Sequence, residues 1–317
     1  MSTAWRLGLA LPAMLGDREA TWDDLRWATR VAEESGCNSV WYLDHFFLQR
    51  PGGRLGLQEC LSVLTALAAQ TTRVRLGSLV CCQSFRHPGL LAKAAATIQE
   101  VAGGRFVLGL GAGWFEAEYR EFGFPFDRRV ARFEEYVTIV TALLRRDTVT
   151  HRGRFFTLEQ ARLTPPAPPT PVWLATARPR MNALLGRFGD GWNGAWYGEE
   201  VAAFRQRLSA LQEEVARQGR DPATIEWSVG VLALPTATGT DSAAALAAAR
   251  RAMPPFASLS DDALRQRIAV GPPEHLREVA ERFAEAGART VIFSFGATPF
   301  SLQEPALLAP TLAALAR

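Results

Sequence analysis

Short, fully apolar runs alternate along this chain with longer stretches of helical spacing. Arg6 to Leu11 is the first such run, and Ser39 to Leu43, Val74 to Cys82, Phe106 to Leu110, Val172 to Ala175, Glu226 to Leu234 and Thr290 to Phe295 repeat it. Gly189 to Asn193 is a weaker eighth. Brief runs that are apolar on both sides predict strands of a parallel sheet covered by helices. The helices are marked by their ends. Thr21 with Asp24 three residues on opens one that Gly36 closes, Pro88 starts another that Gly103-Gly104 stops, and Glu274 to Ala286 ends at Gly287. Leu57 to Gln70, Arg128 to Arg146 and Glu199 to Gln218 read as helices as well. Val149 to Phe156 predicts a small hairpin turning at Gly153, Pro51 to Gly56 a Gly/Pro loop, Pro165 to Pro171 an extended connection, and Pro254 to Leu259 a looser stretch.

Eight strands, each followed by at least one helix, predict a (β/α)8 TIM barrel forming one domain over residues 1–317. The rival is a doubly wound open sheet. It needs GxGxxG after the first strand, and none stands there. The glycines of Gly109 to Gly113 fall within and just past the fourth strand, where small residues let either a flat ligand or another stretch of backbone approach closely.

Composition narrows the picture without redirecting it. The 48% hydrophobic content supports a large core, and no run of eighteen apolar residues predicts a membrane span. Met1 to Leu11 lacks the features of a secretion leader. A net charge of +3 over 317 residues, with Lys93 the single lysine, points to no nucleic-acid partner. Cys37, Cys60, Cys81 and Cys82 have no metal-ligand spacing and read as buried free thiols of a reducing cytoplasm.

Polar residues gather just past the strands. Asp44-His45 follows the second; a histidine there either moves a proton at neutral pH or belongs to a structural pair. His87, before Pro88, reads as a helix start, and His151 and His275 as surface. Glu116 and Glu118 follow Trp114 in a glycine-rich aromatic segment. Glu118 fits the first turn of a helix, while Glu116 is open to a substrate or proton role. No two histidines have metal-ligand spacing, and GxSxG is absent. Trp41, Phe46, Phe47, Phe85, Trp114, Trp173, Trp192 and Trp196 stand at or near strand ends, in numbers that suit a large planar ring. Thr176-Ala177-Arg178-Pro179 turns from strand to helix, either as a plain helix start or as an anion site built from backbone N–H groups, a hydroxyl and a guanidinium.

The segments SVWYLDHFF (Ser39–Phe47), Arg73–Phe126 and Pro171–Asn193 together resemble the bacterial luciferase-like monooxygenase superfamily, and the first two are most similar to its branch that uses the deazaflavin coenzyme F420. The resemblance covers nearly the whole chain. It implies a TIM barrel with insertions, commonly a homodimer, with the coenzyme ring in the barrel mouth. A bulged third strand backs the ring, with a non-prolyl cis peptide at Leu79–Val80 by position. The residues it implies are His45 and Glu116 for catalysis, and Asp44, Leu79, Val80, Cys82, Gly111, Ala175, Thr176, Ala177 and Arg178 for the cofactor. Two departures stand out. Ala177 and Arg178 occupy the places of a glycine pair that receives the coenzyme phosphate. Trp114 stands where the sugar-phosphate dehydrogenases of this branch carry an acidic proton donor.

The resulting expectation is a cytoplasmic oxidoreductase passing a hydride between coenzyme F420 and a small organic substrate, either an alcohol and its carbonyl or an activated alkene. An alternative is a monooxygenase using reduced flavin mononucleotide and oxygen. A third is a ligand-binding barrel without turnover, which the Asp44-His45 pair argues against. Neither Phe47–Gly56 nor Pro254–Ile268, the loops placed to shape a substrate pocket, names a substrate.

Overall fold

The apolar runs become eight parallel strands that close into a barrel: β1 (Arg6–Ala10), β2 (Ser39–Tyr42), β3 (Arg75–Ser78), β4 (Phe106–Gly111), β5 (Val172–Leu174), β6 (Gly191–Tyr197), β7 (Glu226–Pro235) and β8 (Thr290–Ser294). Each pairs with the next, and β8 returns to β1 with Leu7 opposite Val291. The computed structural model describes residues 5–50, 53–237, 239, 242–252 and 256–317. Met1 to Ala4 at the start, Pro51 and Gly52 of the Gly/Pro loop, and Pro254 and Pro255 of the looser stretch lie outside the described residues.

Around the barrel run α1 (Trp22–Glu34), α2 (Cys60–Ala68), α3 (Pro88–Val101), α4 (Glu116–Phe122), α5 (Arg129–Leu144), α6 (Pro179–Phe188), α7 (Val201–Arg217), α8 (Ser242–Ala252), α9 (Asp261–Arg267), α10 (Pro273–Glu285) and α11 (Leu308–Leu315). Their ends have local causes. The Thr21 hydroxyl accepts from the Asp24 N–H while the Asp24 carboxylate accepts from the Thr21 N–H, a reciprocal cap for α1. His87 caps α3 by accepting from the Gly89 N–H, so the reading of His87 as a helix start holds. The four cysteines are buried free thiols.

Several expectations change in detail. The Val74 to Cys82 run is not one strand. It breaks after Ser78 and resumes as Cys81–Cys82, which pairs with the end of β4. Between the two pieces the Leu79–Val80 peptide is cis, as the resemblance implied; the Ala195–Trp196 and Thr164–Pro165 bonds are cis as well. The Gly/Pro loop carries a strand: Gly53–Gly56 pairs antiparallel with Phe47–Arg50, and the facing Leu48 and Leu55 give this segment an apolar anchor that its composition hides. The hairpin after α5 is longer than predicted, with Val149–Arg152 against Thr157–Ala161. Its turn is set from outside, because Glu135 of α5 accepts from the N–H groups of Arg154, Phe155 and Phe156. Between β7 and β8, the chain adds α8, α9 and the short strand Ala269–Gly271, which pairs parallel with the end of β7. This insertion has its own small core of Leu232, Leu246, Leu264, Ile268 and Val270.

The lower half of the barrel is filled rather than hollow. Trp41 of β2 and Trp173 of β5 are fully buried with ring centroids 4.9 Å apart. Glycines opposite them supply the space. A methyl group on Gly77 would lie 2.2 Å from the Trp41 ring, and one on Gly191 would lie 2.5 Å from the Trp173 ring nitrogen. Gly77→Ala is therefore expected to destabilise the fold by about 1–3 kcal/mol through overpacking. Urea unfolding with an unshifted midpoint would show that the Trp41 ring has room to move.

Candidate active site

With the floor filled, the functional space is at the carboxyl ends of the strands. Asp44 and His45 follow β2, and as neighbours in an extended segment they point apart. Asp44 turns inward. Arg86 grips it with two hydrogen bonds of 2.7 and 2.8 Å, and the Cys82 N–H donates to it at 2.9 Å. Arg86 also binds Glu59, the N-cap of α2. Burial works against the Arg86 charge, but the hydrogen bonds and charge of Asp44 outweigh it and raise the guanidinium above its ordinary pKa. Asp44 thus pins the Cys81–Cys82 segment to the end of β2.

His45 turns the other way. Its Nδ1 lies 2.8 Å from Oε2 of Glu118, a side chain only 1% exposed. The other oxygen of Glu118 accepts from the N–H groups of Phe46 and Phe47, which compensates for burying a carboxylate. In the tautomer that donates from Nδ1 to this carboxylate, the imidazole has its lone pair on Nε2. Among the described residues no protein group bonds Nε2. The ring is flanked by Trp114 at 5.7 Å and Phe115 at 6.3 Å, both edge-on.

Glu118 lies in the first turn of α4, as expected, and is also the carboxylate on His45, while Glu116 sits exposed in the same turn. The signal was present. Glu118 lies three residues after Phe115 and shares its helical face; Glu116 does not.

Behind these side chains, Leu79 and Val80 are half-buried apolar residues at the mouth, tied to β2 by the Leu79 N–H on the Tyr42 carbonyl. A methyl group on Gly111 would come within 2.7 Å of Val80 Cγ2 and 3.9 Å of Ala175 Cβ. Val80, Gly111 and Ala175 thus lie together at the strand ends, a small apolar cradle in which the Val80 side chain fills the space over Gly111. Cys82 lies beside it, 3.1 Å from the Tyr119 hydroxyl. Burial pushes its thiol up to about 12, so it is a neutral thiol rather than a nucleophile.

The turn Thr176-Ala177-Arg178 follows β5. Arg178 is the N-cap of α6, exposed, with no side-chain cap on the helix. The turn is braced by Arg207 of α7, which donates to the Thr176 carbonyl at 3.1 Å and to Asn182 Oδ1 at 2.7 Å. Sequence reading missed Arg207. Its trace is a cation set among Phe204, Leu208 and Leu211 on the buried stripe of α7. His151 and His275 are not simply surface: both are half-buried, facing Glu135 at 3.3 Å and Glu199 at 2.9 Å. Carboxylates on neighbouring elements draw them in, a long-range pairing that local spacing does not carry.

Comparison with known proteins matches this architecture. The F420-dependent glucose-6-phosphate dehydrogenase of Amycolatopsis mediterranei is 35% identical over 174 residues, covering 53% of this chain and 52% of that protein. The chain thus spans about half the length of that relative. Among solved structures, an F420-dependent secondary alcohol dehydrogenase in complex with an F420-acetone adduct superposes with a TM-score of 0.79 at 20% identity, over 98% of this chain and 99% of that one. The EDTA monooxygenase of Chelativorans sp. BNC1 superposes at 0.81 with 14% identity, over 98% and 93%. At such identities these structures establish the fold alone. No helix among the described residues is long and apolar enough to cross a membrane. The family description "Luciferase-like monooxygenase" matches residues 1–256, which hold the strand-end histidine, the cradle and the turn after β5, and the chain belongs to that family.

Proposed function

We propose that this protein is an oxidoreductase that passes a hydride between coenzyme F420 and a small organic substrate, an alcohol and its carbonyl or an activated alkene. The observation that carries the reading is His45, its Nδ1 held by buried Glu118 and its Nε2 open, at the end of the strand next to the Leu79–Val80 cradle. The names of curated relatives, F420-dependent glucose-6-phosphate dehydrogenase among them, favour the deazaflavin over flavin mononucleotide. The residues fit such a group. A flat ring needs an apolar backing, and Val80, seated against Gly111 because that residue carries no side chain, supplies one beside the cis Leu79–Val80 bond. A phosphate needs donors, and the uncapped start of α6 with Arg178 offers them.

Bound there, the deazaflavin would supply the hydride acceptor or donor. The protein's own part is proton handling and placement. When an alcohol is oxidised, Nε2 of His45 accepts the hydroxyl proton, and Glu118 stabilises the imidazolium that results. In the opposite direction the same nitrogen returns the proton. Asp44 and Arg86 act on the coenzyme through the segment they pin, and Arg207 acts through the turn it braces. The reading carries a cytoplasmic homodimer with it, which sedimentation of the purified protein tests.

The deciding experiment is a titration with F420 and with flavin mononucleotide, followed by ring fluorescence. Tighter binding of F420 is expected; a clear preference for flavin mononucleotide would turn the reading to oxygen chemistry. In the same titration Arg178→Ala should weaken F420 binding by about 1.5–3 kcal/mol, the worth of a charged hydrogen bond, and leave turnover at saturating coenzyme nearly unchanged. Unaltered affinity would move the phosphate away from this turn.

A further inference from the structure

Trp114 is 66% exposed, the largest exposure among the big apolar side chains of the described residues, yet it stands edge-on to His45 at 5.7 Å. It is not a loose surface residue. Phe115 packs against it at 5.3 Å, and Phe115 packs in turn on buried Phe47 at 5.4 Å. Gly113 before it has φ +76°, and the Gly113 carbonyl is held by Arg129 at 2.9 Å. An indole fixed in this way beside an open imidazole nitrogen is a preformed apolar wall whose outer face is available to a ligand.

Among the described residues, the better-buried or stacked cations of this region are tied to protein groups, while Arg120 of α4 is exposed with only a 3.9 Å contact to Glu121. Arg54 binds both oxygens of Glu121 and stacks on Phe47, Arg86 binds Asp44 and Glu59, and Arg129 binds the Gly113 carbonyl and stacks on Phe126. Lys93 donates to the Thr164 carbonyl. A phosphorylated substrate brings a dianion that needs unpaired donors beside the reacting carbon, and this rim supplies aromatic surface instead.

Resting on the F420 reading above, we infer that the substrate is an uncharged alcohol or ketone carrying an aryl or similarly bulky apolar group. That group lies on Trp114 and brings the oxygen to Nε2 of His45. In the oxidative direction the carbinol C–H bond breaks with its electron pair going to oxidised F420 as hydride, the O–H proton goes to His45, and the C=O double bond forms. The product is the ketone. The reverse step uses reduced F420 and the protonated His45. Trp114 is thus the specificity-determining residue of the site.

The test uses acetophenone and glucose 6-phosphate as probes, their binding measured by calorimetry with and without F420, on the natural protein, Trp114→Ala and Trp114→Phe. Acetophenone is expected to bind the natural protein better than glucose 6-phosphate does. Trp114→Ala should weaken acetophenone on the order of tenfold to a hundredfold, the worth of one large apolar contact, and Trp114→Phe should recover most of it. F420 affinity should be the same in all three. Equal acetophenone binding by Trp114→Ala, no acetophenone binding by the natural protein, or tighter binding of glucose 6-phosphate would each overturn the inference. Failure of F420 itself to bind would strike the coenzyme reading, and it appears in a separate titration.

Discussion

His45→Asn is expected to lower turnover by roughly 10²–10⁴-fold, the usual contribution of general acid–base catalysis, with F420 affinity kept within a few-fold. Asparagine is close to histidine in size and can still accept a hydrogen bond, but it cannot take up a proton near neutral pH. The Nδ1 contact to Glu118 fixes which nitrogen does the work, so the loss falls on the chemical step and not on binding. A variant that turns over almost normally but no longer holds coenzyme would make His45 a binding residue, and the proton would pass to water.

Arg86→Ala should cost about 3–5 kcal/mol of folding stability, because it removes one partner of a buried ion pair and leaves the other without compensation. Asp44 is only 5% exposed, and without Arg86 it retains, among the described residues, the Cys82 N–H as its hydrogen-bond partner. The shift would be read from the urea midpoint at constant slope. The double variant Asp44→Leu, Arg86→Met removes both charges together and should recover much of the loss. A single variant as stable as the natural protein would mean that the pair does not form in solution.

The barrel was legible because its strands are buried on both faces, which writes an unbroken apolar run into the sequence. Even the weak run before Asn193 became β6, extended to Tyr197. His45 was legible for a related reason: a titratable residue just past such a run must lie at the mouth. Its partner was harder to see. Glu116 and Glu118 differ by two positions, which on a helix separates exposed from buried, and the choice depends on where α4 begins. Asp44 with Arg86, 42 residues apart, and Thr176 with Arg207, 31 apart, are joined by the closing of the barrel and not by any local pattern. The hairpin turn and the two misread histidines share that cause, since each is settled by a carboxylate from another element.

The two tryptophans that fill the lower barrel close its interior between β2 and β5. A ligand that enters at the carboxyl ends of the strands meets these rings below it. The cradle of Val80, Gly111 and Ala175 lies within the strand ends, while Trp114 stands outside them on the segment before α4. Two molecules that share this passage are therefore stacked in sequence. The one on the cradle comes first and departs last, and the one against Trp114 comes and goes above it. In the proposed reading, coenzyme before substrate is therefore the expected order of binding, with Trp41 and Trp173 beneath both.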